Sequence, residues 1–329
     1  MRSSGLLRLV SAGALAALTL TACSGTPAAE ETAAAAGATS VTVQDNHGSR
    51  TVELPATSVV ATDNSTFETL DSWGVELSAA AVSLMPETIS YTQDPSIVDL
   101  GTHREPDLEA VVAADPDLVV NGGRFAQYRE DLARLVPDAT IVEVDPRDGQ
   151  PLDAELKRGT TVMGELFGHQ DEAKALNDAL DASIARVEAA YDPATTVMGL
   201  IVSGGEIGYV APSVGRTIGP MFDILGLTPA LQVPEGSDDH QGDDISVEAI
   251  AASNPGLVIV MDRDAAVAAA REPGYTPATQ VIEGSQALQG VSAVQTGNVV
   301  YLPADTYTNE GIQTYTEFFN TLADQLEKA

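Results

Sequence analysis

The chain has 329 residues, enough for two domains of ordinary size. It is strongly acidic, with 48 Asp and Glu against 16 Lys and Arg and a formal net charge of −32. A field of this sign disfavours nucleic acid and anionic membrane surfaces as partners. The only cysteine is Cys23, so no disulfide can form within the chain.

The first 22 residues predict an export leader. Arg2 and Arg8 form a basic start, and the apolar run that follows is too short to span a membrane comfortably. The sequence LTAC at 20–23 is typical of a bacterial lipobox, in which the cysteine is acylated and becomes the mature N-terminus. We therefore expect lipidation at Cys23; the alternative is an ordinary signal peptide with a chance cysteine. Residues 23–40, small and polar, predict a flexible tether.

Alternating strands and helices begin after this tether. The stretch VTVQDNHGSRTVEL, from Val41, predicts a hairpin that turns near His47. Residues 59–62 predict a strand, 66–75 a helix and 139–144 another strand. Short loops between alternating strands and helices predict an α/β fold with a mainly parallel sheet.

A long helical segment interrupts this alternation. Residues 152–167 have helical spacing and are followed by Gly168 as a stop and by Asp171 as a possible cap of a second helix. The alternation then resumes and ends in a helix that starts at Ile312. We therefore expect two Rossmann-like lobes, 41–150 and 170–329, bridged by a single long helix within 151–169.

One helix–turn–strand unit occurs twice in the chain. DLEAVVAADPDLVVNGGR at 107–124 aligns without gaps with SVEAIAASNPGLVIVMDR at 246–263. The matched pairs include Glu109 with Glu248, Pro116 with Pro255 and Arg124 with Arg263. Open parallel sheets bind ligands at the carboxyl ends of their strands. We therefore expect the two arginines to face one cleft between the lobes.

Four motifs, taken in this order, resemble those of the substrate-binding lipoproteins of iron–siderophore ABC importers. They are EPDLEAVVAADPDLVVNGGR, SGGEIGYVAPSVGRTIGPMFDILG, ISVEAIAASNPGLVIVMDRDA and VVYLPADTYTNEG. The resemblance covers residues 41–329 and is strongest to the subgroup that binds catecholate and petrobactin-type ferric siderophores. It implies two α/β lobes bridged by a rigid helix, with no enzymatic activity and no permanent cofactor. It also implies a monomer that binds a ferric siderophore and an ABC permease, anchored by lipid to the outer face of a Gram-positive cell membrane.

The resemblance implies three arginines in the cleft. The matching positions are Arg124 after a Gly-Gly pair, Arg216 in SVGR and Arg263 in MDRD. A guanidinium is always charged and offers a planar fork of donors to catecholate or carboxylate oxygens. The alternative is that each arginine forms a surface ion pair, which is easy in so acidic a protein.

Some members of this family complete the iron coordination with a histidine and a tyrosine when the siderophore supplies only four donors. The matching residues here are His240 and Tyr307, and both donor types suit iron. His240 lies six residues before Ser246, one more than in the family pattern, so a solvated loop position is the alternative. His103 and Arg104 could line the same cleft.

Glu109 and Glu248 lie in the first turns of the repeated helices. The resemblance implies that each docks into an arginine pocket on one of two permease subunits. The alternative is purely local, because an acidic side chain at a helix N-terminus favours the helix dipole.

Three other functions remain open at this stage. The same fold could bind haem or a cobalamin-like ligand, although three cleft arginines disfavour haem. An exported α/β enzyme is a second alternative, but the sequence has no G-x-S-x-G elbow, P-loop or HExxH motif. The third is an adhesion or scaffold lipoprotein, which would not need the paired arginines.

Overall fold

A computed structural model of the chain describes residues 39–328. The predicted leader, the lipidation site at Cys23 and nearly all of the tether lie outside the described residues. Ser40, which we had assigned to the tether, is already the first residue of a strand. Within the described range, no helix has both the length and the apolar character needed to cross a bilayer.

The first half of the described chain forms a hairpin and a parallel sheet. Its strands are β1 (Ser40–Asp45), β2 (Gly48–Glu53), β3 (Val59–Ala61), β4 (Ala79–Ala80), β5 (Val98–Asp99), β6 (Gly101–Thr102), β7 (Glu105–Pro106), β8 (Leu118–Asn121) and β9 (Thr140–Glu143). Its helices are α1 (Phe67–Ser72), α2 (Leu108–Ala113) and α3 (Arg129–Leu135). The predicted hairpin is β1 with β2. The sheet has the order β5-β4-β3-β8-β9, with every neighbouring pair parallel.

The second half begins with two long helices, α4 (Leu152–Phe167) and α5 (Gln170–Ala190). Its strands are β10 (Thr196–Ser203), β11 (Glu206–Val210), β12 (Thr228–Pro229), β13 (Leu257–Asp262) and β14 (Val299–Tyr301). Its other helices are α6 (Gly219–Ile224), α7 (Val247–Ser253), α8 (Ala278–Gly284), α9 (Ser292–Thr296) and α10 (Ile312–Leu326). The sheet has the order β11-β10-β13-β14, with β12 also beside β10. The predicted α/β fold with mainly parallel sheets is confirmed.

One strand of the second sheet differs from the sequence-based expectation. The sequence predicts mainly parallel strands, but the residues after Gly205 form β11, which is antiparallel to β10. Gly204 and Gly205 connect the two strands with φ angles of 61° and 80°. Two consecutive residues with positive φ form the tight turn that joins antiparallel strands, and glycine adopts this conformation without a steric cost.

The repeated unit is visible in the backbone. Asp107 and Ser246 cap α2 and α7 by accepting hydrogen bonds from the main-chain N–H groups three residues later. Asp115 and Asn254, which precede the repeated prolines, have nearly equal φ angles of 45° and 46°. β8 and β13 are apolar and buried, as expected for central strands of a parallel sheet. Both sheets therefore carry the same helix–turn–strand unit.

Helix α4 contributes side chains to the cores of both halves. Leu156 packs in the apolar cluster that includes β10, β13 and α10. Val162, Met163 and Leu166 pack instead with β3, β8 and the hairpin. Burying each such side chain contributes about 2 kcal/mol. A Cβ atom at Gly159 would lie 2.9 Å from the carbonyl oxygen of Val144, so glycine permits this close approach.

The end of α4 agrees with the prediction, whereas the start of α5 does not. Gly168 ends α4 in the left-handed conformation, with φ 76°. Residue 169, not Asp171, occupies the N-cap position of α5, and its side chain makes no capping hydrogen bond. Asp171 lies in the first turn, where its charge favours the helix dipole. The predicted lobe boundaries remain a prediction.

Candidate functional site

A cleft of about 560 Å³ lies between the two sheets. Residues that line it from the first half include Asp63, Asn64, His103, Arg124 and Asp145, and those from the second half include Arg216, Asp238, His240 and Glu310. Both signs of charge therefore line one cavity. The two arginines and His240 were expected here from the sequence.

Tyr307 lies at the centre of the predicted residues, in a short 3₁₀ turn at Thr306–Thr308. The guanidinium carbons of Arg124, Arg216 and Arg263 lie 4.9, 5.2 and 4.8 Å from its ring centroid. The tyrosine is only 5% exposed. A guanidinium over an aromatic face is attracted by the ring electrons. The ring thus provides a neutral surface around which three like charges converge.

The Gly-Gly pair before Arg124 allows the chain to turn beneath two carboxyl groups. A Cβ atom at Gly122 would lie 2.9 Å from Asp63 Oδ2 and 3.1 Å from Asp145 Oδ1. Gly123 has φ 51°, in the left-handed region that favours glycine. Arg124 then lies in a 3₁₀ turn, and its Nη2 donates to the main-chain oxygen of Tyr307 at 3.0 Å. This bond joins the first half of the chain to the second.

Arg216 lies in a compact loop between β11 and α6. A Cβ atom at Gly215 or at Gly219 would lie 2.8 Å from the carbonyl oxygen of Ala211. Both glycines are therefore needed for the loop to fold against the end of β11. Thr217, with φ 61°, continues this irregular backbone. The loop thereby directs Arg216 into the cleft.

Arg263 directly follows β13, so its position depends on the sheet itself. Its main-chain N–H donates to the oxygen of Val202 on β10 at 3.0 Å. Its Nη1 lies 3.3 Å from Ser203 Oγ and 3.1 Å from Asp264 Oδ1. The two repeated arginines therefore differ in their distance from the strand end, because Arg124 lies three residues beyond β8 and Arg263 directly follows β13. Their side chains nevertheless meet at Tyr307.

The loop that carries His240 is held against β11. Tyr209 and Asp243 pair through two main-chain hydrogen bonds of 3.1 and 2.7 Å. The hydroxyl group of Tyr209 also donates to the oxygen of Leu231 at 2.6 Å. A Cβ atom at Gly208 would lie 1.9 Å from the oxygen of Gln241, so the loop crosses directly over this glycine. The loop is thus anchored to β11 near Gln241 and Asp243, whereas His240 itself is exposed.

His240 Nδ1 lies 3.1 Å from the hydroxyl oxygen of Tyr307. Burial lowers the pKa of His240, and the three arginine charges lower it further. The lowered pKa favours the neutral imidazole, which is the form that binds metals. His103, also in the cleft, has a pKa lowered first by burial and then by Arg124.

Two of the three arginines also have carboxylate partners. Arg216 Nη2 lies 2.6 Å from Glu310 Oε2, and Arg263 Nη1 lies 3.1 Å from Asp264 Oδ1. Both ion pairs are partly buried, unlike the surface pairs considered as an alternative from the sequence. The Nε atoms of both arginines are buried and have no hydrogen-bond partner within residues 39–328.

The sequence analysis does not identify several cleft residues, among them Asp63, Asn64, Asp145 and Glu310. Asp63 and Asn64 lie two and three residues beyond β3, and Asp145 lies two residues beyond β9. The expectation that ligands bind at the carboxyl ends of parallel strands could have identified these three. Glu310 follows the turn of Tyr307 and has no comparable signal.

The remaining predicted residues lie elsewhere. Glu109 and Glu248 are exposed in the first turns of α2 and α7, so both are accessible to a partner. His47, at the hairpin turn, contacts the buried carboxylate of Glu143. His169 stacks on Trp73 with a centroid distance of 5.1 Å, outside the cleft.

Residues 59–306 match the family of periplasmic binding proteins, and the chain belongs to this family. It is 27% identical over 290 residues to the petrobactin-binding protein YclQ of Bacillus subtilis, with 86% of each chain covered. It is 25% identical over 272 residues to the ferric-anguibactin-binding protein FatB of Vibrio anguillarum, covering 82% of this chain and 81% of FatB. The family is one of solute-binding proteins.

Solved structures agree with this assignment. The crystal structure of YclQ has a TM-score of 0.74 at 26% identity, with 88% of this chain and 99% of YclQ covered. The catecholate-siderophore binding protein VctP of Vibrio cholerae has a TM-score of 0.73 at 21% identity, covering 88% and 100%. The similarity to VctP supports the fold alone. The predicted family resemblance is confirmed.

Proposed function

We propose that this protein captures an anionic ferric siderophore, of the catecholate type, and delivers it to an ABC permease for iron uptake. One observation carries the proposal: three arginines from separate segments converge on the ring of Tyr307, and two of them, Arg124 and Arg216, line the cleft of a protein with a net charge of −32. Charged donors in a partly buried site bind oxyanions more strongly than exposed ones do. The cleft can therefore attract an anion although the protein as a whole is strongly negative.

His240 and Tyr307 are proposed to complete the coordination of the transported iron. Neighbouring ligands of an octahedral ion with bonds near 2 Å lie about 2.9 Å apart. The observed separation of the two donor atoms is 3.1 Å, and the neutral imidazole has a lone pair available. A siderophore with four donors would leave two adjacent positions for this pair.

The names of two relatives support the ligand class. YclQ is named for petrobactin and FatB for ferric anguibactin. We propose that the siderophore is a transported ligand rather than a permanent cofactor and that the protein has no enzymatic activity. Electrostatic capture at the arginines needs no chemical step.

Location and partners complete the proposal. Lipidation at Cys23 would hold a monomer at the outer face of a Gram-positive cell membrane, with residues 24–40 as a spacer. Glu109 and Glu248, exposed at equivalent positions of the repeat, would each contact one permease subunit. A repeated unit in each half suits a permease with two-fold symmetry.

The first experiment is a titration of the mature, untagged protein with ferric siderophores, followed by intrinsic fluorescence. The ligands are a bis-catecholate, a tris-catecholate and a hydroxamate chelate, with haem as a comparison. We expect saturable quenching by a catecholate, weakened at least about tenfold in Arg124→Ala and in Arg216→Ala, because each loses a charged contact. Arg104→Ala serves as the matched control, since Arg104 is exposed and does not line the cleft.

Different outcomes separate the alternatives. If haem saturates binding and no ferric siderophore does, the fold assignment stands but the proposed ligand class is wrong. An equal loss in Arg104→Ala would mean that general charge, rather than the cleft, governs binding. If no ligand binds, the importer function itself is wrong.

A further inference from the structure

A second set of polar groups lies beside the arginines, around the backbone of Gly122 and Gly123. Asp63 Oδ2 and Asp145 Oδ1 lie 2.9 and 3.1 Å from the position that a Cβ of Gly122 would occupy. Asp63 Oδ1 and Asn64 Oδ1 lie 3.2 and 3.9 Å from the equivalent point at Gly123. These oxygens are hydrogen-bond acceptors when the acids are ionised, and we call Asp63, Asn64 and Asp145 the acceptor subsite.

Asn64 gives the independent indication of a missing donor. Its side chain is 7% exposed, and its Nδ2 donates to the main-chain oxygen of Thr308 at 3.0 Å. Its Oδ1 is buried, yet it accepts no hydrogen bond from any residue between 39 and 328. A buried acceptor without a donor costs free energy, and native structures rarely keep one unless something else supplies the donor.

The side-chain oxygens of the two acids accept hydrogen bonds only from neutral donors, and those to Asp63 come from the main-chain N–H and the hydroxyl group of Ser65 at 3.0 Å. Burial, with repulsion from Asp145 as the second cause, raises the pKa of Asp63 from 3.8 to about 7. Asp145 Oδ1 accepts from Asn46 at 2.9 Å, but its Oδ2 has only a long bond of 3.3 Å from the Gly123 N–H. Asp145 is half-buried and lines the cleft, so a ligand can reach it.

We propose that the acceptor subsite binds a protonated amine on the siderophore, so that the protein selects a zwitterionic ligand. The anionic chelate would lie against the arginines and the ammonium arm against Asp63, Asn64 and Asp145. Gly123 and Arg124 are consecutive, so the two charge regions adjoin. An ammonium group donates several hydrogen bonds and carries the charge that the carboxylates lack. The proposal rests on the siderophore-binding function and specifies the chemical class of its ligand.

Two synthetic ferric bis-catecholates test the proposal. One has a linker with a secondary amine, and the other has an ether oxygen at the same position. We expect wild-type protein to bind the amine ligand about tenfold more tightly, because one charged hydrogen bond is gained. In Asp145→Asn the ratio of the two affinities should fall below about threefold. Asp138→Asn, exposed and outside the cleft, controls for the loss of one negative charge.

The ether ligand separates this proposal from the function on which it rests. If neither chelate binds to wild-type protein, the siderophore function fails. If both bind equally well, or if Asp145→Asn weakens both equally, the amine subsite is wrong. Millimolar Ca²⁺ provides a further test. If it displaces the amine ligand from wild-type protein but not from Asp145→Asn, the acceptor subsite is a metal site and the amine proposal is wrong. Retained binding of the ether ligand shows that the variant is folded.

Discussion

The carboxylate of Glu310 accepts a hydrogen bond from Arg216 at 2.6 Å within the cleft. The same carboxylate also accepts a hydrogen bond from the hydroxyl group of Thr217. Part of the positive charge around Tyr307 is therefore neutralised by the protein before any ligand binds. An incoming anion has to compete with this carboxylate for Arg216.

We expect Glu310→Gln to bind an anionic ferric catecholate about three- to tenfold more tightly, since a part-buried charge pair contributes on the order of 1 kcal/mol. The amide oxygen can still accept from Arg216, but it carries no negative charge. Titration of the chelate measures the effect. Glu317→Gln, exposed and absent from the cleft lining, should match wild-type protein. Weaker binding by Glu310→Gln would mean that the carboxylate orients Arg216 rather than opposing the ligand.

Tyr307→Phe keeps the ring that the arginines surround and removes only the hydroxyl group. If the tyrosine completes the iron coordination, its charge-transfer absorption band should disappear with a four-donor chelate. Affinity for that chelate should fall about tenfold, whereas a six-donor tris-catecholate should bind within about twofold of wild-type. If the affinity for both chelates falls equally, the hydroxyl group has a structural role, which is to hold His240 by a hydrogen bond.

Glu109→Ala and Glu248→Ala should separate ligand binding from delivery. Both side chains are exposed and lie outside the cleft, so siderophore affinity should stay at the wild-type value. Uptake of ⁵⁵Fe-siderophore by cells should fall in each variant and nearly vanish in the double variant. Glu130→Ala is the matched control, because Glu130 is also exposed in a first helical turn. Normal uptake in the double variant would refute the docking role.

Asp63 should make the stability of the unliganded protein depend on pH. Its pKa is raised from 3.8 to about 7 in the folded state, so folding binds the proton more tightly. Its stabilising contribution is therefore full below about pH 4 and is lost as the pH rises through about 7. Thermal unfolding of Asp63→Asn should vary less with pH across this window than that of wild-type protein. In Asp138→Asn the unfolding temperature should change with pH as it does in wild-type protein. If the pH dependence of Asp63→Asn also equals that of wild-type protein, other groups control the pH dependence.

The repeat made part of the site predictable. Arg124 and Arg263 occupy matched positions, and the rule for parallel strands places both at the ligand-binding edge. Their convergence on Tyr307 was not predictable, because it depends on how the two sheets face each other. The Arg216–Glu310 pair depends on a contact between residues far apart in the sequence, so no local pattern identifies it.

The fold was predictable to a similar degree. The apolar runs of β8 and β13 and the helical spacing of α4 are strong local signals. The turn between β10 and β11 also has a signal in the sequence, the Gly204-Gly205 pair. The N-cap of α5 was misassigned to Asp171 because a favourable capping residue two positions away obscured the true boundary.

Helix α4 has a consequence for how the protein unfolds. Leu156 belongs to the core of the second sheet, and Met163, two turns later, belongs to that of the first. Melting either core would release one end of the same helix and expose apolar side chains of the other. The chain therefore has two sheets but should lose its structure in a single cooperative transition, with no state in which one half survives alone.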